Sequence, residues 1–201
     1  MPVISGNVSL YNKAHDTNVT STPSTGIIGL KDDINSIPKD EFVREGDRAF
    51  LIRCDLWQGE FYKAEILGGE YKFAGDWNAE KLRNFLNELR RFVIKYKPRT
   101  SVAVGKLGGL FELQKMSSKG FSVHLSGDLL ETLTKEHLYE VILTVSDRDA
   151  LEEFWSDRNF EVIDLGTVIQ SELRVEGQPV VDTVHWTQTS AECIKNHFGL
   201  E

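Results

Sequence analysis

The chain has 201 residues, 40% of them hydrophobic and 27% charged, with a formal net charge of −8 and a pI near 5.2. That balance suits one folded domain with an appended piece and excludes extensive disorder. The acidic surface argues against a nucleic-acid partner, which needs a basic face, and no run of about 18 apolar residues is present to span a membrane as a helix. The N-terminus lacks the basic and apolar stretches of a signal peptide, so the expectation is a cytoplasmic protein. Cys54 and Cys193 stand far apart, with no CxxC or metal spacing, and are read as packed thiols in a reducing compartment. Met1 directly before a strand-like PVIS and the terminal Leu200-Glu201 pair are read as the edges of a piece cut from a longer protein or of a short gene product, residues 200–201 being either the scar of a tag or a natural C-terminus.

In chain order, Val3 to Tyr11 reads as a short strand and the polar stretch Lys13 to Thr25 as a loop or linker. Thr25 to Leu30 reads as a second strand, and Ile37 to Asp47 as a turn region. Arg48 to Leu56 is the clearest strand of the first half. The aromatic, Gly-rich stretch Trp57 to Asp76 reads as an irregular loop with a short helix near Phe61 to Ile66. Asn78 to Tyr96 is the best helix, with Leu82, Phe85, Leu86, Leu89, Val93 and Tyr96 forming one apolar stripe at helical period. Asp76 or Asn78 can cap it and Pro98 ends it.

Ser101 to Val104 is a short strand leading through Gly105 to Gly109 into a helix, Leu110 to about Ser117. Phe121 to Leu125 alternates like a strand, Ser126 to Glu136 holds a short helix, and Leu138 to Val145 is a buried strand. Asp147 opens a helix to about Arg158. Phe160 to Ile169 is a strand carrying Gly166, Leu173 to Val181 a hairpin around Glu176-Gly177, and Asp182 to His197 a final helix. Short strands interleaved with one or two long helices predict an α+β fold, a mixed or antiparallel sheet packed against several helices.

The most specific text is SGNVSLYN at Ser5 to Asn12, followed by TPSTGIIGLKDD at Thr22 to Asp33. Together they resemble the junction between the ATP-binding domain and the aminoimidazole-ribonucleotide-synthetase-type C-terminal domain of phosphoribosylformylglycinamidine synthases. The family writes GNVS, a Leu or Phe, YN, then PTP and a Gly-containing strand with acidic residues after it. Gly6, Asn7, Val8, Ser9, Tyr11, Asn12, Thr22, Pro23, Gly26, Gly29 and Leu30 match. More weakly, Ser101 to Leu110 (SVAVGKLGGL) falls where the family writes SAHDVSDGGL, and Leu133 to Glu136 falls where it writes LFSES. The resemblance covers most of the chain and implies residues 1–21 as the tail of a preceding domain and 22–199 as a synthetase-like domain.

The resemblance further implies a role in purine biosynthesis, the ATP-dependent amidation of formylglycinamide ribonucleotide. ATP and Mg²⁺ would be bound mainly outside this chain, in an ATP-binding half of the same enzyme or a homo-oligomer partner, with ammonia from a glutaminase subunit or domain. The residues it assigns to a substrate or anion site are Asn7, Ser9, Asn12, Gly108, Gly109 and Glu136, to which the charge of Lys106 is added from the residue itself. A Gly-Gly helix start can present N–H groups to a phosphate, and Lys106 could add a point charge; the plainer reading of the same pair is a tight turn.

The departures bear on activity. Where the family has His-Asp the chain has Ala103-Val104, where it has Ser-Asp the chain has Lys106-Leu107, and of its Ser-Glu-Ser only Glu136 remains. Ala and Val can hold neither protons nor metal. No catalytic residue is expected on this chain. The five histidines (15, 124, 137, 185, 197) show no ligand spacing, so no metal site is expected. The expectation is a synthase domain inactive alone; the alternative is a degenerate, noncatalytic scaffold or subunit-interaction domain of the same superfamily.

Overall fold

A computed structural model describes residues 5–6, 13–14, 17–18, 24, 26–54, 56, 58–59, 70, 72–105, 107–117, 119–146 and 160–178. The chain divides into two compact units, residues 1–34 and 35–201. In the first, β1 (Lys13–Ala14) and β2 (Thr17–Asn18) form a small antiparallel hairpin inside the stretch read as a loop. Gly26 to Leu30 is not a strand. Its Ile27, Ile28 and Leu30 are exposed, Leu30 completely. The stretch is apolar, but among the described residues no strand pairs with it.

The second unit is built on a four-stranded sheet of β3 (Arg48–Arg53), β6 (Thr100–Ala103), β9 (Glu140–Val145) and β10 (Glu161–Thr167). The spatial order is β10-β3-β9-β6 and every pairing is antiparallel. The runs RAFLIR and EVILTV are almost continuously apolar because both faces of the sheet are covered. Successive side chains point to opposite faces. Thus Ala49 and Leu51 join one core with Leu113, Met116 and Leu133, while Phe50 and Ile52 join another with Phe85 and Phe92.

The second core lies under α1 (Ala79–Tyr96), the predicted long helix. Asn78 caps it by accepting from Lys81 N–H at 2.8 Å. Lys97 ends it in the left-handed region, φ 47°, directly before Pro98. The predicted stripe is corrected at two positions. Leu86 is exposed and Phe92, left out of the stripe, is fully buried. Leu86 follows Phe85 by one residue, about 100° around the helix, whereas Phe92 lies seven residues on and returns to the same face.

The other core lies under α2 (Gly108–Met116) and α3 (Leu129–Leu133). Helix α2 begins at Gly108, two residues before the predicted Leu110. Small pairings complete the unit. β4 (Gln58–Gly59) lies between β5 (Phe73–Ala74) and β8 (Glu136–His137). β7 (His124–Leu125) pairs with β11 (Arg174–Val175) in parallel; the return half of the hairpin expected around Glu176-Gly177 lies outside the described residues. The expected helices at 147–158, 182–197 and 61–66, and most of the strand from Val3, lie outside the described residues. Among the described residues no helix is long and apolar enough to cross a membrane.

Replacing Phe92 by Ala is expected to destabilise the domain by about 3–5 kcal/mol, the cost of emptying a large core site. Leu86→Ala is expected to stay within about 1 kcal/mol. Urea unfolding of both variants checks the corrected face of α1.

Candidate functional site

The residues the sequence singled out separate cleanly. Asn7, Ser9, Asn12 and Lys106 lie outside the described residues. Gly108, Gly109 and Glu136 are brought together where the turn after β6 enters α2. The path there is unusual. Leu107 and Gly108 both have φ 78°, and for a leucine that left-handed conformation costs on the order of 1 kcal/mol.

Glu136 holds this turn. Its buried carboxylate accepts the Leu107 N–H at 2.8 Å, where a capping side chain or an anion would sit at a helix start. The space over the glycines is also filled. A Cβ on Gly108 would lie 2.6 Å from the Leu133 carbonyl oxygen and 2.7 Å from that of Lys135; on Gly109 it would meet Leu133 and Leu51 side chains at 2.9 and 3.1 Å. The glycines let the segment ending in Glu136 lie flat on the start of α2. On this side of the turn the Leu133 and Lys135 carbonyl oxygens and the Glu136 carboxylate lie close.

Glu136 is half of β8. The other half, His137, faces the opposite way, as adjacent strand residues must, and meets a buried charge cluster that the sequence did not suggest. At its centre is Arg53, the last residue of β3, only 5% exposed. Its guanidinium grips Glu161 of β10 with two bonds, Nε to Oε2 at 2.6 Å and Nη2 to Oε1 at 2.8 Å. Nη1 reaches Glu140 of β9 at 3.2 Å and His137 Nε2 at 2.7 Å. Arginine has no acceptor, so His137 Nε2 must be the acceptor, and the ring is the neutral tautomer protonated on Nδ1.

Electrostatics keeps the cluster close to neutral. Burial pushes the Glu140 carboxyl up to about 8, against the pull of Arg53. Hydrogen bonds from Arg53 hold Glu161 below its ordinary value despite some burial. At neutral pH one guanidinium is thus balanced by one carboxylate, with Glu140 largely protonated. The sequence signal for this cluster was slight: an arginine closing an apolar strand, and a histidine three positions before an aromatic-flanked glutamate. At the other end of β3, Arg48 pairs with Asp164 at 2.5 Å. Asp164 also accepts the N–H of Gly166 at 2.9 Å, where a bulge shifts the register.

Comparison with known proteins places this architecture. No family model matches the chain. A phosphoribosylformylglycinamidine synthase subunit PurL from Petrotoga mobilis is 31% identical over 181 residues, 85% of this chain and 25% of that protein. PurL from Nitratiruptor is 29% identical over 178 residues, 83% of this chain and 24% of that protein. This chain is a homologue of one part of PurL. Among solved structures, Thermotoga maritima PurL complexed with ATP superposes with a TM-score of 0.55 at 15% identity, over 74% of this chain and 26% of that one. The structure of PurLQS from the same organism gives 0.53 at 13% identity, over 75% and 27%. These structures bear out the expected α+β fold of the aminoimidazole-ribonucleotide-synthetase type. The chain spans about a quarter of the length of the PurL relatives it matches.

The Glu140 carboxyl makes a signed prediction. In the unfolded chain it ionises near 4.5; in the fold it keeps its proton to about 8. Its contribution to stability is therefore fully present below about pH 4.5 and is lost as pH rises through about 8. Glu140→Gln is expected to remove that alkaline loss and to be more stable than the parent at pH 8.5 by on the order of 1–3 kcal/mol. Denaturant unfolding at pH 5 and pH 8.5 checks the sign. Separately, Gly108→Ala is expected to cost more than about 1 kcal/mol, since it combines a positive φ with two backbone clashes; thermal unfolding reads it.

Proposed function

We propose that this chain is a domain of a phosphoribosylformylglycinamidine synthase-like enzyme of purine biosynthesis, and that it is incomplete and inactive alone. The reaction would be the ATP-dependent amidation of formylglycinamide ribonucleotide in the cytoplasm. One observation carries the reading: the match to PurL runs along 85% of this chain but only a quarter of the relative. The alternative, a degenerate noncatalytic scaffold, is not favoured by relatives that carry the synthase name.

In this reading residues 1–21 are the tail of an ATP-binding domain and 22–199 the synthetase-like domain. The candidates for contact with substrate or an anion remain Asn7, Ser9, Asn12, Lys106, Gly108, Gly109 and Glu136. ATP is held mainly by the ATP-binding half of the same enzyme or by a homo-oligomer partner, together with Mg²⁺, and a glutaminase supplies ammonia. Two observations support this division. PurL of Thermotoga maritima has been seen with ATP and with AMPPCP, while the described helix start here is filled by its own carboxylate. The exposed Ile27, Ile28, Leu30 and Ile34 also form an apolar run that a further polypeptide would cover.

Calorimetry tests the proposal. ATP·Mg²⁺ and formylglycinamide ribonucleotide, each titrated into this chain, are expected to give no binding heat. Titrated into a full-length PurL-like protein carrying this segment, both are expected to bind. Saturable binding by this chain alone would overturn the incomplete-site reading. A full-length protein that binds neither ligand and turns over no substrate would replace it with the scaffold reading.

A further inference from the structure

Helix α1 carries a charge opposite to that of the molecule. Its 18 residues hold five basic side chains and two acidic ones, a net of +3, within a chain whose formal net charge is −8, which leaves −11 for the remainder. The outward face concentrates this charge. With 3.6 residues per turn, a residue two positions from a buried one lies on the far side of the helix. Arg83 and Asn87 stand on either side of buried Phe85, and Arg90 and Ile94 on either side of buried Phe92; all four are exposed. We propose that this outward face is a docking surface for an acidic polypeptide segment, with Ile94 receiving an apolar side chain and Arg83, Arg90 and Arg91 receiving carboxylates.

The side chains on this face are available. Neither Arg83 nor Arg90 has an ion-pair partner among the described residues. Arg91 bonds Glu88 at 2.9 Å yet stays 71% exposed. Ile94 is 63% exposed among them. An open groove of about 410 Å³ runs beside it, lined among the described residues by Asn84, Asn87, Glu88, Arg90, Arg91 and Ile94, and offers a seat for an apolar anchor. Arginine suits a carboxylate partner, because its planar fork donates two parallel N–H groups and sheds water at lower cost than an ammonium. Arginines beside an apolar anchor are the groups that carry much of the energy in protein interfaces.

Charge selects the occupant. A symmetric dimer through α1 would set one +3 helix against another, so a second copy is disfavoured there. The helix is 18 residues long, roughly 27 Å at 1.5 Å per residue. A nucleic acid or an anionic membrane extends beyond that length and meets the acidic remainder of the chain, where repulsion is felt within a screening length of about 8 Å. Phosphate backbones also have no use for an exposed isoleucine. A short acidic segment with an apolar residue satisfies both the charge and Ile94. The inference goes beyond the proposed synthase role and does not depend on it.

NMR amide-shift mapping on this chain tests the surface at about 150 mM salt, where weak long-range attraction is screened. The probe is a glutamate-rich synthetic peptide with one leucine in every two helical turns. Polyuridylate RNA and phosphatidylserine vesicles of equal anionic charge are titrated in parallel. The peptide is expected to shift the amides of Arg83, Asn87, Arg90 and Ile94, to leave those of β3 and β9 in place, and to bind at least about tenfold more tightly than RNA or vesicles. Arg90→Glu and Ile94→Asp are each expected to weaken peptide binding at least about tenfold, with an unchanged urea midpoint because both positions are exposed. A peptide that leaves the α1 amides unmoved overturns the proposal. So does RNA or vesicle binding as tight as that of the peptide, which would make the face a general anion surface. Unchanged affinity in Ile94→Asp overturns it too, since charge alone would then be read. The parent chain decides the first two outcomes, so a variant that fails to fold does not remove the test.

Discussion

One guanidinium organises the end of the sheet. Arg53 closes β3 and from a buried position donates to β10, β9 and β8 at once. The planar fork of arginine makes this possible; lysine offers a point charge and no fixed set of directions. Burying such an ion is costly unless its hydrogen bonds are satisfied and its charge is balanced. The strands around it supply both, with Glu161 as the ionised partner and Glu140 and His137 as neutral acceptors. The register β3 adopts against β9 and β10 is the one that places all three beside Arg53.

The packing follows from a sheet with two covered faces. Because β3 and β9 feed both cores, their sequences lose the polar–apolar alternation of a half-exposed strand. Helix α1 closes one face and the α2–α3 pair the other. The two-glycine start of α2 exists so that the segment leading from α3 into β8 can pass at backbone contact. The turn that looked like a ligand cradle in the sequence is, in the described residues, a crossing point of the chain.

Much of this was legible beforehand, where local chemistry decides. Asn78 and Pro98 bracket α1 by capping and by proline geometry. Arg48 to Arg53 and Glu140 to Val145 announce themselves as buried strands. Leu86 and Phe92 were misassigned because a stripe counted by spacing tolerates a wide arc, and only the packed sheet shows which side is covered. Gly26 to Leu30 has strand composition, but pairing needs a partner that composition cannot supply. The Arg53 cluster was invisible because its members lie up to 108 positions apart. The glycines and Glu136 were found through a family pattern, yet their contact was set by the path of the chain.

The bulge at Gly166 bears on how the protein behaves in crowded solution. Among the described residues β10 has a ladder partner on one side only, β3, with the His124 carbonyl oxygen close to Gly166, and a strand edge invites other chains to add to it. Here the register breaks between Asp164 and Gly166, Gly166 has a φ of 104°, and Asp164 folds back onto the Gly166 N–H that a foreign strand would seek. Charged side chains at Glu161 and Asp164 precede the break. The same strand that Arg48 and Arg53 clamp from within is therefore made a poor template from without, a protection against self-assembly into fibrils.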